Sequence, residues 1–267
     1  MESRRYLHGH HESVLRSHRW RTAENSAGYL LPRLRSGMTL LDVGCGPGTI
    51  TAELAEIVSP GIVTALETSE EVLALAREEL QHRGISNVEL VVGDVHDLTF
   101  DDASYDVVHA HQVLQHVADP VRALAEMRRV TRKGGVVGVR DSDYGGFVWA
   151  PQLPELDEWR GLYKRLARAA GGEPDAGRWL YALAHKAGFT DVKASSSTWC
   201  FATADDRAWW GGLWADRVTG SAFAEQAVSV GGVAREDLER LADGWRRWAD
   251  SPDGWFSVLH GEILATV

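Results

Sequence analysis

Between residues 39 and 141 the chain alternates short apolar runs with amphipathic stretches, a rhythm that predicts repeated strand–helix–strand units. The runs 39–43, 62–66, 88–92, 105–110 and 136–139 are nearly continuous in apolar residues. That pattern predicts five parallel strands buried on both faces. Segments 49–58, 69–82 and 120–130 carry helical spacing; Val72, Leu73, Ala76 and Leu80 share one face, with Ser69 placed as N-cap. Upstream, Ala23, Ala27, Leu30 and Leu31 form a stripe that predicts a helix over 22–31, ending before Pro32. After residue 141 the texture changes. Gly145-Gly146, Pro151 and Pro154 mark a break, followed by predicted helices at 155–169 and 177–187 and a strand at 192–199. Residues 203–253 read as mostly helical, and 255–267 as an alternating strand. Three parts are expected: an N-terminal lid and helix (1–35), an α/β core (36–143), and a C-terminal part (144–267) with helical cap segments near 144–187 and 203–253.

Composition narrows the function classes. The 267 residues are 44% hydrophobic and 25% charged, ordinary globular values. A net charge of −10 argues against a chain devoted to neutralising nucleic acid or anionic lipid, and favours a small-molecule partner. The two cysteines, Cys45 and Cys200, lie far apart with no metal-ligand spacing, so neither a disulfide frame nor a structural zinc is expected. Residues 1–5 lead into polar, His-rich sequence instead of an apolar signal region. A soluble cytoplasmic protein without membrane insertion is therefore expected, with homodimerisation left open.

The chemistry concentrates in Asp42-Val43-Gly44-Cys45-Gly46-Pro47-Gly48-Thr49, a strand entering a glycine turn that opens a helix. Glycines there let the backbone approach a ligand closely. A dinucleotide fingerprint would place its last glycine at Thr49; the spacing is instead G-x-G-x-G with an acid two residues upstream. A carboxylate at Asp42 repels a diphosphate and attracts the ammonium and sulfonium of S-adenosylmethionine. Glu67, followed by Thr68, closes the second strand about twenty residues on, a position suited to accepting from both ribose hydroxyls. Asp94 closes the third strand, beside Val95, where a carboxylate can accept from an adenine amino group. All three acids are expected at the carboxyl edge of one sheet.

LLDVGCGPG, Glu67, Gly93-Asp94, SYDVVHAHQVLQHVADP and MRRVTRKGGVVGV together resemble the class I S-adenosylmethionine-dependent methyltransferases, in particular the ubiquinone/menaquinone-biosynthesis-like branch. The resemblance implies a Rossmann-like α/β fold with a seven-stranded sheet, its last strand antiparallel, ending in a β-hairpin. It further implies that Gly44, Cys45, Gly46 and Gly48 line the methionine moiety, Glu67 holds the ribose, Asp94 and Val95 hold the adenine, and His111 with Gln112 closes the methyl-donor end. S-adenosylhomocysteine is the implied product. The length after Asp141 exceeds the minimal domain.

Residues 6–26 read as a lid, with His18, Trp20 and Arg21 facing the cofactor and Tyr6 or Tyr29 reaching the substrate. His8, His10 and His11 lack a helix-compatible pairing, so no metal site is expected. This stretch also looks similar to actinobacterial natural-product enzymes that methylate an aromatic carbon, indole included. Ten of eleven tryptophans lie from residue 149 onward, with Trp209, Trp210 and Trp214 close together; they are expected either as core or as an aromatic substrate pocket. His18, His116, Asp143 and Tyr29 are the candidate catalytic groups. The expected activity is methylation of a small aromatic, natural-product or quinone-like acceptor. An RNA or protein methyltransferase, a cofactor-binding subunit without catalysis, and a NAD-dependent oxidoreductase remain as alternatives at this point.

Overall fold

The computed structural model describes residues 12–267, with side chains from residue 16. These residues fall into two units: a larger one of 18–142, 176–197 and 260–267, and a smaller one of 12–17, 143–175 and 198–259.

The chain runs through α1 (Glu12–Arg19), α2 (Ala23–Ala27), β1 (Leu40–Val43), α3 (Thr49–Val58), β2 (Val63–Glu67), α4 (Glu70–His82) and β3 (Val88–Val92). It continues through β4 (Tyr105–His111), α5 (Pro120–Val130), β5 (Thr131–Ser142), β6 (Val148–Ala150), α6 (Pro154–Ala169), α7 (Leu180–Lys186) and β7 (Asp191–Phe201). α8 (Ala204–Gly220), α9 (Ala222–Ser229), α10 (Arg235–Asp250) and β8 (Trp255–Thr266) complete it. In the larger unit the strand order is β3-β2-β1-β4-β5-β8, parallel except for β8, which pairs antiparallel with β5. β7 also pairs with β8. The sheet has eight strands, not the seven the resemblance implied, because residues 255–257 at the start of β8 also pair with the short β6 in the smaller unit.

Local chemistry sets the helix starts. Ser69 caps α4 by accepting from Val72 N–H, and Asp119 caps α5 by accepting from Arg122 N–H ahead of Pro120. The helix expected over 22–31 is shorter. α2 starts on a Thr22–Asn25 capping box and stops at Ala27, and Pro32 lies in a separate 3₁₀ turn, Leu31–Arg33. Proline fits there because the first turn of a helix needs no N–H from it. Residues 176–179 likewise form a 3₁₀ turn before α7. β3 departs from the double burial expected of it: it is an edge strand, and Val92 is 53% exposed.

The two faces of the larger sheet differ. On one, Leu41, Val43, Val108, Val137, Val139 and Ile263 pack with α5 and α7 in a wholly apolar cluster. On the other, Leu40, Val63, Val107 and Val136 pack with Leu30 and Leu54. Two residues further along the same strands this second face turns polar, with Asp42 beside His109 and then His111 beside Arg140.

The smaller unit is held by aromatic side chains. Trp159 meets Trp214 edge-on with centroids 4.5 Å apart, and Trp245 at 4.8 Å. Tyr144 stacks on Tyr163 at 3.9 Å, and Phe201 on Trp210 at 4.4 Å. Trp210 and Trp214 are buried against each other and Trp149 against Phe256, as core side chains of this unit; Trp209 is half-buried beside Trp210. Truncating Trp159 to alanine is expected to destabilise this unit by about 3–5 kcal/mol, measured as a lowered denaturant midpoint of tryptophan fluorescence.

Candidate active site

β1 ends at Val43, and the following glycines carry the chain into α3 with φ of 67° at Gly44, 56° at Gly46 and 83° at Gly48. These values are strained for any residue with a Cβ. The three glycines are not equivalent. A Cβ on Gly44 would stand 2.6 Å from Val113 Cγ2 and one on Gly48 3.1 Å from Ala76 Cβ, so both permit protein packing. A Cβ on Gly46 would meet only His18 Nδ1, at 3.8 Å, so Gly46 is the least crowded of the three.

Asp42 lies beneath this turn, 3% exposed. Thr51 Oγ1, from α3, donates to one carboxylate oxygen at 2.6 Å, and His109 Nδ1, from β4, lies 2.7 Å from the other. Both partners are buried. At the end of β2 the Glu67 carboxylate accepts from Thr68 N–H at 2.7 Å and Thr68 Oγ1 at 3.0 Å, and reaches back to Gly46 N–H at 3.4 Å. After β3 Asp94 accepts from the His96 backbone N–H at 2.9 Å and lies 2.6 Å from His96 Nδ1. Partial burial pushes the Asp94 carboxyl up, but the hydrogen bonds and charge of His96 outweigh it and the net shift is downward. Cys45 follows Gly44, and burial, with Asp42 and Glu67 nearby, holds its thiol well above the ordinary range.

β4 is cut off by Gln112, whose φ of 55° is left-handed for a side-chain-bearing residue; its N–H donates to Arg140 O at 2.7 Å. The Gln112 carbonyl accepts from Arg21 Nη2 at 2.9 Å, which leaves its amide nitrogen to donate to His260 Nε2 at 3.0 Å. Gln115 repeats the device. Its carbonyl accepts from Ser142 Oγ, and its amide nitrogen donates to His116 Nε2 at 3.0 Å. An imidazole nitrogen that accepts carries no proton, so both rings are neutral. The segment is pinned by Asp141, which accepts from Leu114 N–H at 3.2 Å and Gln115 N–H at 3.1 Å and is pushed up to about 7 by burial. Burial pushes His116 down to about 4 and His111 well below its ordinary value, with the Arg21 charge adding to both. Arg140 is buried against Glu262 at 3.1 Å and Ser197 Oγ at 3.1 Å.

A family profile described as a methyltransferase domain matches residues 34–192. An uncharacterized methyltransferase of Schizosaccharomyces pombe is 35% identical over 268 residues, covering 97% of this chain and 95% of that protein. The chain belongs to the methyltransferase family. The demethylmenaquinone methyltransferase of Listeria welshimeri is 32% identical over 139 residues, 52% of this methyltransferase and 55% of its own length. In fold the methyltransferase is similar to phosphoethanolamine N-methyltransferase 2 of Haemonchus contortus, solved with phosphomonomethylethanolamine and S-adenosylhomocysteine. That likeness has a TM-score of 0.56 and 19% identity, covering 89% of this chain and 51% of that one. By class the methyltransferase is S-adenosylmethionine-dependent.

The donor set fits that cofactor. Carboxylates stand at or just past the ends of β1, β2 and β3, and the least crowded glycine, Gly46, lies beside Glu67 and His18. This is a cradle for a cation with hydroxyl donors and unfavourable for a diphosphate. His18 lies beside the turn and Arg21 reaches Gln112, His18 also accepting through its carbonyl from Thr49 Oγ1 at 3.2 Å; Trp20 lies between them in sequence, its carbonyl accepting from Asn25 Nδ2 at 3.3 Å. Two candidate catalytic groups are engaged within the fold. Asp143 is buried as the cap of a 3₁₀ turn, accepting from Gly146 N–H at 3.0 Å. The Tyr29 hydroxyl is buried over Gly138, level with Asp42. Val95 is buried in the apolar cluster. Tyr6, His8, His10 and His11 lie outside the described residues. Sequence reading missed His109, Arg140, Glu262 and His260; the one available signal was that His109 and His111 alternate onto a single strand face.

The neutral His116 makes stability pH-dependent in the methyltransferase. An unfolded chain binds a proton as pH falls below about 6.5, whereas the folded ring binds one only near 4. The contribution is complete above pH 6.5 and lost on descent toward 4. Denaturant titrations between pH 7.5 and 4.5 should show a loss on the order of 1–3 kcal/mol from this group, and His116→Gln should make the decline shallower.

Proposed function

We propose that this enzyme methylates a small aromatic acceptor carrying an O–H, N–H or electron-rich carbon. The observation that carries the reading is the row of neutral imidazoles and amides, His111, His116, His260, Gln112 and Gln115, next to the glycine turn at the carboxyl ends of the strands. We read this cluster as bounding the acceptor, where it suits an uncharged, flat, weakly polar molecule better than a phosphate or a carboxylate pair. The net charge of −10 weighs against RNA. The name of the Listeria relative denotes a demethylmenaquinone as its acceptor, which agrees with an aromatic substrate.

S-adenosylmethionine, when bound, supplies an electrophilic methyl group on a sulfonium. In this reading Gly44, Cys45, Gly46 and Gly48 bind its methionine portion and Glu67 accepts from its ribose hydroxyls, with Thr68 orienting the carboxylate. Asp94 and Val95 hold the adenine. His18, Trp20 and Arg21 close over the donor and exclude water, while His111 and Gln112 bound the acceptor side. His18 is the nitrogen base that can receive a proton from an O–H or N–H acceptor; His116, with Nε2 taken up by Gln115 and Nδ1 carrying the ring proton, can orient the acceptor. A ring carbon needs only an orienting hydrogen bond, a role that His260 or Gln112 can fill.

The test is S-adenosylhomocysteine release with a panel of naphthoquinols, phenols and indoles against tRNA and histone peptides. Turnover of aromatic small molecules alone supports the reading; turnover restricted to macromolecules overturns it. In the same preparation Glu67→Ala should weaken binding of both S-adenosylmethionine and S-adenosylhomocysteine about 30- to 100-fold by calorimetry, the effect of losing a charge-assisted acceptor.

A further inference from the structure

We infer that His109 is a positioning residue for the methyl-donor site. It holds the Asp42 carboxylate through Nδ1–H and turns an unprotonated Nε2 toward the Tyr29 hydroxyl. This rests on the reading that the glycine turn binds the donor, but not on any choice of acceptor.

The pairing registers of β1, β4 and β5 put Asp42, His109 and Gly138 side by side. An ionised carboxylate can only accept, and Asp42 is already held on one oxygen by Thr51, so the contact to His109 at 2.7 Å requires the proton on Nδ1. An imidazolium there would neutralise the charge beneath the turn. In the neutral ring Nε2 is instead an acceptor, and it is buried with no hydrogen-bond partner. The Tyr29 hydroxyl is also buried with no hydrogen-bond partner. It lies 3.4 Å from where a Cβ of Gly138 would be, in the position beside His109 that the missing side chain leaves open. Burial, opposed by the charge of Arg140 and helped by Glu262, Asp141 and Asp42, raises the phenol well above its ordinary value, so it keeps its proton. One orphaned acceptor and one orphaned donor thus occupy neighbouring places in one buried layer. Bridged by one water, the two complete a chain Tyr29–His109–Asp42–Thr51. This chain fixes the carboxylate's orientation while leaving its charge intact.

The experiment combines nitrogen-15 histidine NMR on the whole protein with calorimetry of S-adenosylhomocysteine and S-adenosylmethionine. The expected spectrum assigns His109 as the Nδ1–H tautomer with a downfield ring proton that disappears in Asp42→Asn. His109→Asn, which keeps one donor for Asp42, should bind both ligands within about threefold of the parent. His109→Leu should lose about tenfold, and Tyr29→Phe should shift the Nε2 resonance. An Nε2–H tautomer, or His109→Leu binding both ligands at parental affinity, overturns the inference. Should His109→Leu fail to fold, the tautomer and the His109→Asn affinity decide it. Failure of the acceptor panel leaves both readouts unaffected, so the two ideas fail separately.

Discussion

A carboxylate sealed inside the larger unit constrains everything built around it. Asp42 has almost no exposure, and an unpaired charge in such a place is prohibitively unfavourable. It is tolerated because Thr51 and His109 both reach it. Those contacts require α3 to begin at once after the glycine turn, so that its first turn lies over β1, and they require β4 to pair with β1 in one register. A slip of one residue would send His109 to the apolar face and bring Val108 or Ala110 against the acid. The polar turn taken by one sheet face near the strand ends follows from the same need.

The other half of the site is organised by amides. Gln112 and Gln115 each give their carbonyl to a donor, Arg21 or Ser142, and therefore offer a nitrogen to an imidazole. The orientation of each glutamine is set by its partner, and the protonation of each ring by the glutamine. Left-handed backbone at Gln112 is sustained by its bond to Arg140 O and by the grip of Asp141 on the next residues. Under the proposed function the carboxylates lie on the donor side, and amides and neutral imidazoles, with Arg21 holding Gln112, on the acceptor side.

How much of this was legible in the sequence depended on range. The glycine turn, the strand-end acid Glu67, the cap Ser69 and the alternation of strands and helices are local patterns, and they could be read directly. Tyr29 and Asp143 were visible as reactive side chains, but whether a phenol sits over a glycine or a carboxylate caps a turn depends on packing that sequence spacing does not encode. The tryptophans show the same limit: Trp159, Trp214 and Trp245 have the composition of a pocket and the geometry of a core. His109, Arg140 and Glu262 went unread because their partners come from strands distant in sequence, 122 residues apart for the ion pair. Register, not proximity along the chain, makes them meet.

The account stands on the charge of Asp42 favouring a positively charged sulfur. Calorimetric titration of the parent protein and of Asp42→Asn with S-adenosylmethionine and with S-adenosylhomocysteine tests this, since the two ligands differ at that sulfur by one methyl group and one charge. The amide retains the shape of the carboxylate and much of its hydrogen bonding. The account predicts that the substitution weakens S-adenosylmethionine about tenfold more than S-adenosylhomocysteine, roughly 1.4 kcal/mol of selective loss. Equal losses for the two ligands, or none for either, would contradict it.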